Sequence, residues 1–122
     1  MAEQKRVQFE LKKDKYVNAR GGNSHFLDLY CSKCSEYLAL YQKDGQGRLL
    51  RLYLDRIFAP TNISFLNLRV NSKAEIPNLK CVKCNTLIGT AMIYERENRF
   101  AYRLIFGSFL KKKSKGFYPP LE

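Results

Sequence analysis

The chain of 122 residues contains no tryptophan, a single histidine, only four cysteines and half as many acidic as basic residues. His25 has no second histidine to work with and every cysteine lies in a CxxC pair, so no Cys-His nucleophile pair can be assembled. The serines and aspartates show no catalytic spacing, and His25, six residues ahead of Cys31, reads as structural. These scarcities predict a protein that is not an enzyme. No run approaches the ~18 apolar residues of a membrane span. Met1-Ala2-Glu3-Gln4-Lys5-Arg6 lacks the apolar stretch of a secretory signal. The sequence therefore predicts a soluble, cytoplasmic protein in a reducing compartment, with no membrane partner.

What is present is equally directed. Hydrophobic residues make up 45% of the chain and aromatics 13%, all Tyr and Phe, enough for the packed core of a single domain. The cysteines form two similar knuckles, Leu29-Tyr30-Cys31-Ser32-Lys33-Cys34 and Leu79-Lys80-Cys81-Val82-Lys83-Cys84. A CxxC loop closes too tightly for a common structural disulfide, whereas two such pairs can each wrap one edge of a tetrahedron. Cys31, Cys34, Cys81 and Cys84 are thus predicted to hold one structural Zn²⁺ with no open position for water. Lys33 and Lys83 could offset part of the charge of four thiolates, or simply be solvated. The ligand pairs are separated by residues 35–80, 46 positions, so several strands must lie between them.

Periodicity reads as mainly β. Val7, Phe9 and Leu11 suggest a first edge strand, and residues 1–24 form an N-terminal strand and loop of the same domain. Residues 25–110 carry the zinc-binding domain. Residues 26–30 and 37–41 flank the first knuckle, and Lys43-Asp44-Gly45-Gln46-Gly47 predicts the short loop of a hairpin. Residues 49–58 favour one strand, with Leu50, Leu52, Leu54 and Phe58 on one face and Arg51, Tyr53 and Asp55 on the other. Ile63 to Val70 reads as another strand, then residues 87–94 and 99–109 as a second hairpin. Residues 111–122 read as an irregular basic tail, mobile without a partner, because of their Pro and Gly.

The net charge of +11 makes acidic partners plausible. The cations cluster as Lys12, Lys13, Lys15 and Arg20, as Arg48, Arg51 and Arg56, and as Lys111, Lys112, Lys113 and Lys115. Tyr16, Tyr53, Phe117 and Tyr118 lie nearby in sequence. Cations for phosphates and rings for unpaired bases are the pairing used to bind RNA or single-stranded nucleic acid. The alternative is a protein-interaction or adaptor module. Residues 43–54 suit an interaction edge or an ordinary amphipathic hairpin, and a small-molecule pocket between sheets is a further possibility.

A resemblance arises from Cys31, Cys34 and Leu38, from Gly45, Gly47, Arg48, Tyr53 and Leu54, and from Cys81, Cys84, Thr86, Gly89, Tyr94 and Glu95. Over residues 26–110 the chain resembles the Yippee-like zinc-binding group and, more broadly, the β-tent folds that include the cereblon ligand-binding domain and methionine sulfoxide reductase B. The resemblance implies two antiparallel sheets meeting near a zinc-clasped apex, with the knuckles on hairpin turns, and an adaptor-like role. It does not bring the tryptophan cage of cereblon-type domains, since Trp is absent, nor reductase chemistry, since there is no fifth cysteine. A β-tent relative in RNA-sensing helicases binds nucleic-acid ends through a lysine-rich face, which is an analogy of fold.

Overall fold

The structure, a computed structural model, describes residues 6–121; the first five positions of the expected N-terminal segment and the last of the expected tail lie outside the described residues. The fold is mainly β. In chain order its strands are β1 (Val7–Gln8), β2 (His25–Cys31), β3 (Tyr37–Lys43), β4 (Arg51–Tyr53), β5 (Ile57–Ala59), β6 (Leu79–Lys80), β7 (Leu87–Tyr94), β8 (Arg99–Leu104), β9 (Phe109–Ser114) and β10 (Phe117–Tyr118). Two short helices, α1 (Thr61–Ser64) and α2 (Leu66–Arg69), lie between β5 and β6. Among the described residues, two four-stranded antiparallel sheets run in the orders β5-β3-β2-β9 and β4-β8-β7-β6, and β1 pairs separately with β10. None of these helices is long and apolar enough to cross a membrane.

The sheets pack through their alternating apolar faces. Leu27 and Leu29 of β2, Ala39 and Tyr41 of β3, Leu52 of β4, Ile88 of β7 and Tyr102 of β8 share one buried cluster with Cys31 and Cys81. Burial of such side chains contributes roughly 1.5–3 kcal/mol each. The other face of β2 and β3 is covered as well: Phe26, Leu40 and Ala59 pack under Phe9, Leu11, Phe58 and Tyr118. Sequence outside the expected zinc domain thus completes a second core.

Four sequence expectations change here. The turn after β3 is not a hairpin loop, because β3 pairs with β2 and β5 while β4 belongs to the other sheet. Residues 49–58 are not one strand: β4 ends at Tyr53, a 3₁₀ turn spans Leu54–Arg56, and β5 joins the opposite sheet. One period-two face cannot serve two sheets, so Leu50 is left exposed while Tyr53 is buried. Residues 63–70 are largely helical, since Ile63, Leu66 and Val70 reach the core at helical spacing, and Phe65 and Leu68 stay exposed.

The fourth change concerns the expected mobile tail. Lys111, Lys112 and Lys113 belong to β9, in continuous register with β2 from Cys31↔Phe109 to Phe26↔Ser114. Phe117 and Tyr118 then pair with Gln8 and Val7. Gly116 makes the corner between them at φ +84, and a Cβ there would lie 2.7 Å from the Phe26 ring and 2.9 Å from the Phe9 carbonyl oxygen. Gly116→Ala is expected to lower unfolding stability by about 1–3 kcal/mol, from overpacking and left-handed strain. Urea unfolding reads it, and an unchanged midpoint would mean that β10 does not dock on β1.

Candidate metal centre and basic edge strand

Both knuckles are built by the same local hydrogen bonds. The Cys31 N–H donates to the Glu36 carbonyl (2.8 Å) and the Ser35 N–H to the Cys31 carbonyl (2.9 Å). In the second knuckle the Cys81 N–H donates to Thr86 (2.9 Å) and the Asn85 N–H to Cys81 (2.9 Å). Ser35 and Asn85, each directly after a second cysteine, hold φ of 68° and 65°. This left-handed residue turns the chain back into the outgoing strand. A register irregularity precedes each knuckle, at Leu29/Tyr30 and at Leu79/Lys80, and re-aims the cysteine side chains.

The two hairpins come from different sheets, and their tips meet. The sulfurs of Cys31, Cys34, Cys81 and Cys84 all lie within 4.8 Å of one another. Between knuckles the sulfurs stand 3.6 Å apart from Cys31 to Cys84 and 3.5 Å from Cys34 to Cys81. Disulfides need about 2.05 Å. A tetrahedral thiolate site with metal–sulfur distances of about 2.3 Å needs sulfurs about 3.8 Å apart. The four free thiols therefore fit one metal ion, and as four protein ligands they would close its coordination sphere. The Lys33 N–H points at Cys31 Sγ (3.4 Å) and Thr86 Oγ1 lies 3.0 Å from Cys84 Sγ, contacts that orient the ligands.

The thiols differ in their readiness to ionise. Hydrogen bonds from the side chain and backbone of Thr86 draw Cys84 down to about 6. The backbone at Glu36 favours the Cys34 thiolate, but burial and the three neighbouring cysteines outweigh it and push Cys34 up to about 12. Four adjacent thiols resist simultaneous ionisation, and a divalent cation removes that resistance.

The expected cationic site residues separate into three situations. Arg56 is not a surface cation: with 0% exposure, it donates from Nε to Asp44 (2.7 Å) and from both Nη atoms to Asp14 (2.8 and 2.6 Å). It is a buried anchor for the N-terminal segment. Lys12 is exposed but donates to the Asp55 carbonyl (2.6 Å), and Lys15 lies over the Tyr16 ring. Arg51 is half-buried against Tyr94, its guanidinium carbon 4.2 Å from the ring centroid. Arg56 thereby leaves the 48/51/56 cluster, while Arg48 and Arg51 line one cavity.

Lys111, Lys112 and Lys113 are exposed along β9, and Lys115 just beyond it. β9 is the outer strand of its sheet, with β2 as its described neighbour. At one end Lys111 shares a cleft with Arg48; midway along, Lys112 and Lys113 share a groove with Arg6; at the far end Lys115 lies with Lys13 and His25. These cations form a strip along the β9 edge from Arg48 to Lys13, with Lys112 on the opposite face of the strand from Lys111 and Lys113. Glu10 stands at its far end and Asp28 in its groove, where burial raises the Asp28 carboxyl above the usual range and Tyr37 donates to it (2.9 Å). Other carboxylates are engaged inside the fold: Asp55 and Glu97 with Arg99, and Glu97 also with Arg20.

Arg6, Lys43 and Phe106 were not distinguished by sequence. Arg6 joins the strip only because β1 pairs with β10. Lys43 lay inside a recognised turn whose glycines gave the available signal, and Phe106 stood within an apparent strand. No protein-family model matches this chain, and none of the characterised proteins or solved structures compared with it matches either.

Proposed function

We propose that this protein is a non-enzymatic, zinc-stabilised binding module that contacts RNA or single-stranded nucleic acid through the β9 edge. The single observation carrying the reading is the run of exposed lysines along the β9 edge, Lys111, Lys112, Lys113 and Lys115, with Arg48, Arg6 and Lys13 in the clefts beside it. Phosphates spaced along a strand suit such a strip, while the exposed Phe106 ring offers a stacking surface. Zinc is favoured for the metal centre because a closed set of four thiolates is its usual structural environment. Thiols kept reduced for that ion suit the cytoplasm. Paired CxxC hairpins across two antiparallel sheets support kinship with the Yippee-like β-tent group.

Fluorescence anisotropy with short single- and double-stranded RNA and DNA across a salt series tests the nucleic-acid reading. Single strands are expected to bind with log K falling linearly in log salt. Changing Lys111, Lys112 and Lys113 to Gln is expected to flatten that slope by about 2, at about 0.7 per phosphate contact on single strands. These side chains are exposed, so the fold should persist. Absence of binding at low salt, or a slope indifferent to the triple change, would sink the reading.

One observation favours the protein-partner alternative: Leu50, Phe106 and Leu110 expose apolar surface beside the open edge of β9. An acidic peptide could add a strand there. The lysines also have a protective role on an open edge, because charged side chains discourage strand pairing between molecules.

A further inference from the structure

We propose that Lys43, Arg48, Arg51 and Arg20 form a phosphate-binding pocket, and that the adjoining apolar cleft beside Phe106 receives the organic group carrying that phosphate. The pocket and cleft share Arg48 and Phe106 with the proposed nucleic-acid edge, whereas Lys43, Arg51 and Arg20 line none of the clefts along β9 and so tell the two apart. These residues line a cavity of about 100 Å³ between β3 and β4. That is room for about three waters, and hence for one tetrahedral oxyanion rather than a whole nucleotide.

Lys43 is the reason to expect an anion. It is 8% exposed, and its Nζ donates to the Gly45 carbonyl oxygen at 2.9 Å. Among the described residues no carboxylate pairs with it. A buried ammonium ordinarily has an ionic partner. Asp44 lines the same cavity, but its oxygens accept from Arg56 (2.7 Å), Ser24 (2.6 Å) and Gln42 (2.9 Å). Burial, then the positive charges of Lys111 and Arg20, pull the Lys43 ammonium below its ordinary range. A site that strains a cation in this way is relieved by a bound anion.

The flanking guanidiniums have capacity to spare. Arg51 donates from Nε to the Tyr53 hydroxyl (3.1 Å), and its Nη groups make no protein hydrogen bond among the described residues. Arg48 is exposed, near Phe106. Arg20 is held by Tyr53 and Glu97 (2.6 and 3.1 Å), and its backbone is clamped by the turn: a Cβ on Gly45 would lie 2.5 Å from the Arg20 carbonyl oxygen. Gly45, at φ +87, therefore lets the 43–47 loop close over Arg20. Guanidinium forks bind phosphate oxygens in pairs.

The pocket opens beside a cleft of about 490 Å³, with which it shares Arg48, Leu49 and Leu50. Leu104, Phe106, Phe109 and Leu110 also line the cleft. Phe106, 88% exposed, offers a ring face to an aromatic or apolar body. A phosphate on an aromatic group would satisfy both halves.

Isothermal titration of the metal-loaded 122-residue chain at constant ionic strength would use inorganic phosphate, AMP and a short single-stranded oligonucleotide. Saturable phosphate binding is expected, with AMP at least tenfold tighter. Lys43→Met should weaken both at least tenfold, yet leave the melting temperature in phosphate-free chloride buffer unchanged or higher. Phe106→Ser should remove the AMP advantage and leave phosphate binding intact. Arg51→Gln should also weaken phosphate binding. An oligonucleotide whose affinity survives Lys43→Met but not the β9 lysine changes would separate the strip from the pocket. No saturable phosphate binding, binding indifferent to Lys43→Met and Arg51→Gln, or a lower melting temperature for Lys43→Met in chloride would overturn the pocket. AMP no tighter than phosphate would overturn the cleft's part.

Discussion

Removing the metal with a strong chelator is expected to unfold this domain rather than merely loosen its knuckles. Cys31 and Cys81 belong to the same buried cluster as Leu29, Leu38, Leu79 and Ile88, so the metal centre and the core between the sheets are continuous. Apparent zinc-binding energies coupled to folding of about 10–16 kcal/mol equal or exceed the whole stability of a typical domain, about 5–15 kcal/mol. Native mass spectrometry should find one zinc per chain. Circular dichroism should report loss of β structure on chelation and its return when zinc is restored. Cys31→Ser should behave like the chelated protein. A metal-free protein with an unchanged melting temperature would dismiss the structural role of the site.

Arg56→Met is expected to cost about 3–5 kcal/mol, because it leaves the Asp44 carboxylate buried without its cation. Its guanidinium bridges Asp44, itself 4% exposed, and Asp14 in the N-terminal segment. Gln42 joins the same assembly, its amide donating to the Lys12 carbonyl (3.0 Å) and accepting from the Lys12 N–H (2.7 Å). The substitution should shift the urea midpoint and also speed proteolysis of residues 12–24, which these bonds tie down. Arg56→Lys should rescue little, since one ammonium cannot serve both carboxylates in forked geometry. Adding Asp44→Asn to Arg56→Met should recover part of the loss through the shared interaction. Wild-type stability in Arg56→Met would refute this account.

The same pair has a pH signature. The Arg56 hydrogen bond holds the Asp14 carboxyl down from 3.8 to about 2. A depressed folded-state value favours the native state above the unfolded value, and that contribution fades as pH falls from 3.8 through about 2. In Arg56→Met this part of the acid dependence should flatten.

The legibility of the molecule differs from residue to residue. Cys31, Cys34, Cys81 and Cys84 could be assigned because ligand spacing is a local property: two residues between thiolates suffice to wrap one edge of a coordination sphere. The flanking strands β2, β3, β7 and β8 were legible for a similarly local reason, since each is a short run rich in Leu, Ile, Tyr and Phe beside a knuckle or a polar turn. Arg56 shows where that logic stops. Its charge and strand-like surroundings placed it on the surface, whereas Asp14 and Asp44, 42 and 12 positions away, make its burial possible. The lysines of β9 failed in the opposite direction. Their composition suggests a mobile tail, but pairing with β2 supplies the backbone hydrogen bonds that no local signal encodes.

The amino-acid sequence by itself determined the mainly β character, the positions of the two knuckles and the four-thiolate set, because these depend on neighbours a few residues apart. Only the tertiary structure decided which cations face outward, that residues 63–70 coil into helices, and that Lys43 lies buried beside Arg48 and Arg51. Those outcomes rest on contacts between distant segments, where burial, ion pairing and strand partnership outweigh local preference.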